Sequence, residues 1–190
     1  MSGAHALSRF QQRWLGQALA DDAVVAYPTE GVFGLGCSAH SNTAVGRVID
    51  VKGRAADKGL ILLAADAAAL TGWAELAGPL PATGSIEAPL TWIVKAGPLA
   101  TDAITGGRPT VAVRITHHPI AAALCRASPA PLISTSANRS GQPAITQPLV
   151  LQRQFRRTVD VIVPGQLGPA NGPSEIRDLA SGRVLRPAGV

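Results

Sequence analysis

The chain has 190 residues, 46% of them apolar and 15% charged, which is enough apolar material to fill one globular domain over residues 1–190 and too much for a disordered chain. Its 20 glycines and 15 prolines, with only 4% aromatics, fit a loop-rich α/β protein and exclude a coiled coil. Lys and Arg number 17 against 12 Asp and Glu, and the resulting formal charge of +5 favours anionic partners.

Leu7, Phe10, Trp14, Leu15, Ala18 and Leu19 recur at three- and four-residue spacing, which predicts an amphipathic N-terminal helix. The same segment, MSGAHALSRFQQRW, has no unbroken apolar run, and no stretch of eighteen apolar residues follows, so a cytoplasmic protein without membrane contact is expected. Val24 to Tyr27 reads as a buried strand stopped by Pro28, and TEGVFGLGC after it as a tight glycine loop. Its GxxGxG spacing is neither the dinucleotide fingerprint nor a Walker loop. Cys37 and Cys125 lack a CxxC or CxxH neighbour and read as buried, reduced thiols.

Ser41 or Asn42 can cap a helix through Val45, Val48, Ile49 and Val51, with Gly53 suited to ending it and Lys52 in its last turn. Only three of the basic residues are lysines, and two of them, Lys52 and Lys58, flank Arg54 in KGRAADK. Cations stabilise a helix C-terminus, but three at one glycine turn exceed that need and suit a polyphosphate. A strand at Leu60 to Leu63, an Ala-rich helix at Ala67 to Leu76 and a strand at Leu90 to Val94 come next.

In the strand TVAVRI, Thr110, Ala112 and Arg114 share one face and Val111, Val113 and Ile115 the other. The polar face is either a solvated edge or a holder of carboxylate or phosphate. His117 and His118 precede Pro119 at the start of a helix running to Ala127 and have no ligand spacing. The strand LISTS then puts Ser134 and Ser136 on one face, with Asn138 where it breaks into a Ser/Gly loop. Two further strands are expected at Val159 to Val163 and Val184 to Arg186, separated by a Gly/Pro-rich segment, Val163 to Ser174, of a functional or mobile kind. Glu30 and Asp178 are the only acids beside these motifs, each placed to orient an arginine. Cations, hydroxyls and backbone amides together suit charge stabilisation during transfer at phosphorus.

YPTEGVFGLG, KGRAADKGL, VAVRITHHP, STSANRSG and PSEIRD, in this order and across nearly the whole chain, resemble the YrdC/TsaC family of threonylcarbamoyl-AMP synthases. The resemblance implies an α/β (α+β) fold, a twisted open mixed sheet with flanking helices and a basic concave face. It implies formation of L-threonylcarbamoyladenylate and pyrophosphate from L-threonine, bicarbonate and ATP, ahead of a separate transferase complex that modifies tRNA beside the anticodon. By motif position it places threonine near Thr29, Arg114, Ser134 and Ser174. ATP falls near Lys52, Arg54, Lys58, Thr110, Ser136, Asn138 and Arg186, with Lys52, Arg54 and Lys58 stabilising charge in the reaction. Mg2+ is expected to travel with the nucleotide, without a protein metal site. The family's Pro-Gly-Pro-hydrophobic-Thr pattern survives here as Pro89, Leu90 and Thr91. The rival from another class is a noncatalytic protein binding double-stranded RNA or tRNA, or assisting ribosome assembly, through the same basic face.

Overall fold

The computed structural model describes residues 6–189, so the first five residues of the segment read for a leader lie outside it. Helix α1, Arg9–Ala20, starts at a capping box in which Ser8 Oγ accepts from the Gln11 amide and the Gln11 side chain accepts from the Ser8 amide. Strand β1, Val25–Pro28, turns through four residues into β2, Phe33–Gly36. The glycine loop expected there is therefore a hairpin strand, in register from Val25 opposite Gly36 to Pro28 opposite Phe33. Its glycines serve close approach: a Cβ on Gly36 would stand 1.9 Å from the Ile133 carbonyl oxygen of a neighbouring strand.

Helix α2, Asn42–Lys52, has Ser41 as its cap, bonding the Ala44 amide, and ends on Gly53 in the left-handed conformation at φ +60°. Strand β3 is Ile61–Ala64. The helix expected over Ala67 to Leu76 is instead one 3-10 turn, Ala68–Leu70, followed by the short strand β4, Ala74–Glu75. Alanine supplies propensity there, but Gly72 at φ +81° breaks the run and lets Trp73 and Ala74 join Leu70 in the core.

Strand β5, Leu90–Ala96, the short helix α3, Asp102–Thr105, and strand β6, Thr110–Ile115, follow. Helix α4, Pro119–Ala127, is capped by His118 and leads to β7, Leu132–Ser136. Helix α5, Pro148–Phe155, was not anticipated, although Pro148 in its first turn and the buried pair Leu151 and Phe155 carry its signal. Strand β8 keeps only Val161–Ile162 of the expected Val159 to Val163; β9, Glu175–Asp178, is additional, and β10, Val184–Arg186, closes the series.

The strands join in one mixed sheet, ordered β10-β9-β5-β6-β3-β7-β2-β1-β8, with β4 pairing β5. Strand β6 runs parallel to β3 and antiparallel to β5, so its polar face is interior rather than a sheet edge. Successive residues of β1 serve opposite faces. Val24 and Ala26 join Phe33, Leu62 and Val113 under α2 and α5, whereas Val25 and Tyr27 pack with Leu19 of α1 and Leu124 of α4. Burying each large side chain contributes about 2 kcal/mol. Helices α1 and α4 cover only part of their face, and the remainder is open.

Candidate active site

Residues of that open part line a cavity of about 300 Å³, at the small end of ligand sites. Gly34 of β2, Ile61 of β3, Ala112 and Arg114 of β6, and Ser134 and Ser136 of β7 form its floor. These residues alternate with core residues along their strands, the period-two arrangement read from TVAVRI and LISTS. Among the described residues, five cations reach the lining, Arg54, Lys58, Arg108, Arg114 and Arg186, and no carboxylate does. Burial, Arg114 and Arg54 lower the pKa of Arg186; burial and Arg108, partly offset by Asp57, lower that of Arg54. A surface that holds like charges together in this way is set for an anion.

Arg114 is buried, and its Nε has no hydrogen-bond partner among the described residues. Its Nη2 lies 3.7 Å from Glu30 Oε2, while Glu30 Oε1 accepts from the Thr116 hydroxyl at 2.6 Å and the His117 amide at 3.0 Å. Burial by itself would raise the Glu30 pKa, but Arg114 and these hydrogen bonds hold it below the usual carboxylate range. Glu30 thus pairs with an arginine. Asp178 does not: its carboxylate accepts from the hydroxyl and amide of Ser181.

The hydroxyls differ in what they can offer a ligand. Thr29 donates to the Val32 carbonyl at 2.6 Å, so toward a ligand its oxygen can only accept. Ser174 Oγ lies 2.7 Å from Thr91 Oγ1, both buried, and Arg186 Nη2 donates to the Ser174 carbonyl at 2.7 Å. Thr91, retained from the family pattern, therefore positions Ser174 from behind. Ser136 donates to Asn138 Oδ1 at 2.7 Å and accepts from Lys52 Nζ at 3.2 Å.

Lys52 does not face the cavity as the cluster KGRAADK suggested. Its ammonium turns behind Ser136, 2.6 Å from the Ser136 carbonyl and 2.8 Å from Asn138 Oδ1, and Asn138 likewise lies outside the lining. Burial, with Arg54 nearby, brings the Lys52 pKa down to about 8. Arg54 faces the cavity but spends part of its fork on the carbonyls of Lys58 and Gly59. Thr110, at the start of β6, is not among the lining residues. Sequence reasoning missed Arg108 and Thr105, which lie after and within α3 and carry no recognisable motif.

His118 and the two cysteines are buried away from the cavity lining. His118 Nδ1 faces the Ala121 amide and Nε2 the Gln166 carbonyl, and burial lowers its pKa. Burial pushes both Cys37 and Cys125 up to about 12. Neither thiol should react with an aromatic disulfide at pH 8 in the folded protein, whereas both should in denaturant. Stoichiometric labelling of the native protein would contradict that burial.

The family model described as "Telomere recombination", the Sua5/YciO/YrdC domain, matches residues 17–188. The chain belongs to the Sua5/YciO/YrdC family. It is 43% identical over 183 residues to a protein of Halorhodospira halophila named threonylcarbamoyl-AMP synthase, covering 93% of this chain and 94% of that one. A Nitrosococcus oceani protein of the same name is 40% identical over 189 residues, covering 95% of this chain and all of the relative. Among solved structures, P. abyssi Sua5 complexed with L-threonine superposes at a TM-score of 0.86 with 30% identity. That match covers 98% of this chain but 56% of P. abyssi Sua5, so the chain spans little more than half the length of that family member. E. coli YciO, 24% identical over 94% of this chain and 90% of its own with a TM-score of 0.77, shares the fold.

Proposed function

We propose that this chain, as a single YrdC-like domain, is a threonylcarbamoyl-AMP synthase that joins L-threonine, bicarbonate and ATP into L-threonylcarbamoyladenylate and pyrophosphate. The observation that carries the reading is Arg114: a buried guanidinium on the lining of a cavity that, among the described residues, has cations and hydroxyls but no carboxylate. Relatives over nearly the full chain bear that activity in their names, and a superposable family member was solved with L-threonine.

Arg114 takes the threonine carboxylate through charge-assisted hydrogen bonds, and Thr29, Ser134 and Ser174 surround the amino acid. The threonine amine and bicarbonate give a carbamate and water. A carbamate oxygen then forms a bond to the α-phosphorus as the bond from that phosphorus to the bridging oxygen breaks, and pyrophosphate leaves. Arg54, Lys58 and Arg186 stabilise the negative charge on the phosphates, while Lys52 holds the Ser136–Asn138 corner against which the nucleotide lies. Thr110 contributes through the strand backbone.

The residues present do not fit a protein-held Mg2+. No group of three or more His, Cys, Asp and Glu side chains suited to a metal exists among the described residues, and the nearby carboxylate of Glu30 is engaged with Arg114. A divalent ion enters with the nucleotide, on phosphate and water oxygens. The adenylate passes to a separate transferase complex acting on tRNA. Double-stranded RNA as the main ligand rests on net charge alone, whereas these cations converge on a space sized for a small molecule.

The test is pyrophosphate release from ATP, bicarbonate and magnesium with and without L-threonine. Release that depends on threonine is the expected result. Release indifferent to threonine, or none from folded protein, overturns the reading.

A further inference from the structure

Among the described residues, Arg114–Glu30 is the ion pair with both partners buried. An ion pair at 3.7 Å is too long for a hydrogen bond, and Glu30 Oε2 has no hydrogen-bond partner among the described residues. Glu30 therefore attracts the guanidinium without consuming its N–H donors. Its own position is over-determined. Oε1 is fixed by Thr116 and His117, just beyond the strand that carries Arg114, and the Glu30 carbonyl accepts from the Ala170 amide at 3.0 Å. The carbonyl of Thr29 next to it accepts from the Gly168 amide at 3.0 Å. The Gly/Pro-rich segment expected between Val163 and Ser174 thus clips onto the β1–β2 turn that presents both Thr29 and Glu30.

We propose that Glu30 is a positioning residue for amino-acid capture: it aims the Arg114 fork into the cavity and leaves the donors of that fork open for the substrate carboxylate. The proposal rests on the reading of Arg114 as the carboxylate-binding group. Before substrate arrives, the pair is neutral, which makes a buried arginine tolerable in the empty cavity. When a carboxylate binds, Arg114 gains hydrogen bonds that Glu30 never supplied, and Arg186 and Arg54 lie on the same lining to balance the added charge. A Glu30 that hydrogen-bonded Arg114 in bidentate fashion would occupy the donors the substrate needs.

The decisive variant is Glu30→Gln. Its amide oxygen must accept from Thr116 and His117, which turns the NH2 group onto the N–H donors of Arg114 and pushes the fork aside. The expected result is a rise in KM for L-threonine of roughly tenfold or more, with kcat and the KM for ATP within about twofold of wild type. Glu30→Asp keeps the charge and should recover part of that loss. Should Glu30→Gln fail to fold, Glu30→Asp carries the same test, since it withdraws the charge by one methylene without removing it.

An unchanged or lower KM for threonine overturns the proposal, because Glu30 would then be inert or a mere counter-charge. An equal rise in both KM values overturns it as well, because that is general damage to the cavity. Wild-type protein that releases no threonine-dependent pyrophosphate defeats the functional reading itself, and the role of Glu30 falls with it. Wild-type activity with an unaffected Glu30→Gln variant defeats only the role of Glu30.

Discussion

Arg114→Met should raise the KM for L-threonine by about 100-fold or more, because losing one partner of a desolvated charge pair costs about 3 kcal/mol. Methionine keeps the unbranched apolar stem of arginine but supplies no donor. Arg54 and Lys58, which the proposed function assigns to the ATP phosphates, are untouched, so the KM for ATP should move little. Initial rates with each substrate varied separately check this, and a threonine KM within threefold of wild type would remove Arg114 from the site.

The same variant has a stability signature. In wild type the Glu30 pKa is lowered, so its stabilising contribution is present above the ordinary carboxylate pKa and is lost as pH falls through the folded value. Without Arg114 the burial of Glu30 dominates, its pKa rises, and the variant gains stability as pH falls through that raised value. The gap in Tm between wild type and Arg114→Met should therefore be wide at pH 7 and narrow at pH 5.

Lys52→Met should lower kcat/KM for ATP by about 100-fold, the loss expected when a buried, hydrogen-bonded charge is removed. Lys52 Nζ reaches oxygens of both Ser136 and Asn138, so the variant removes the cation that ties them together and leaves the corner they form held by the Ser136–Asn138 hydrogen bond. Among the described residues no carboxylate pairs with Lys52, and its pKa is down to about 8 because burial disfavours the ammonium. The ammonium is accordingly lost above that pH in the free enzyme. In wild type, kcat/KM for ATP should fall through pH 8 toward pH 9, and that limb should be absent from the small residual activity of Lys52→Met.

The sign for stability is opposite. A lysine whose folded pKa lies below its unfolded value of 10.5 binds fewer protons when folded between about 8 and 10.5. Its contribution to stability therefore rises with pH across that window and is flat below it. Stability that rises from pH 8 to 10 while activity falls would separate the electrostatic role of Lys52 from simple alkaline denaturation. Parallel loss of both would sink it.

Much of the frame is local and so was readable in advance. The alternation in TVAVRI put Ala112 and Arg114 on the cavity face, Ser41 and Gly53 bracketed α2, and Ser134 and Ser136 followed from the period of β7. Errors arose where local preference met a tertiary demand. FGLG carries loop residues yet forms β2, because only glycine admits the neighbouring backbone at Gly36. The alanines after Asp66 favour a helix, yet burial of Trp73 and the pairing of β4 with β5 prevail.

The sequence by itself determined the family, the cationic and hydroxyl character of the site, and eight of the residues on its lining, Thr29, Arg54, Lys58, Arg114, Ser134, Ser136, Ser174 and Arg186, since each follows from a motif or a strand period within a few positions. Only the tertiary structure decided how those residues are held. Lys52 turns from the cavity to Ser136 across 84 positions, Glu30 meets Thr116 across 86, and Thr91 backs Ser174 across 83. Such partnerships form because buried charges and hydroxyls must find a partner once the sheet closes around them, and no local pattern specifies which partner the closed sheet brings near.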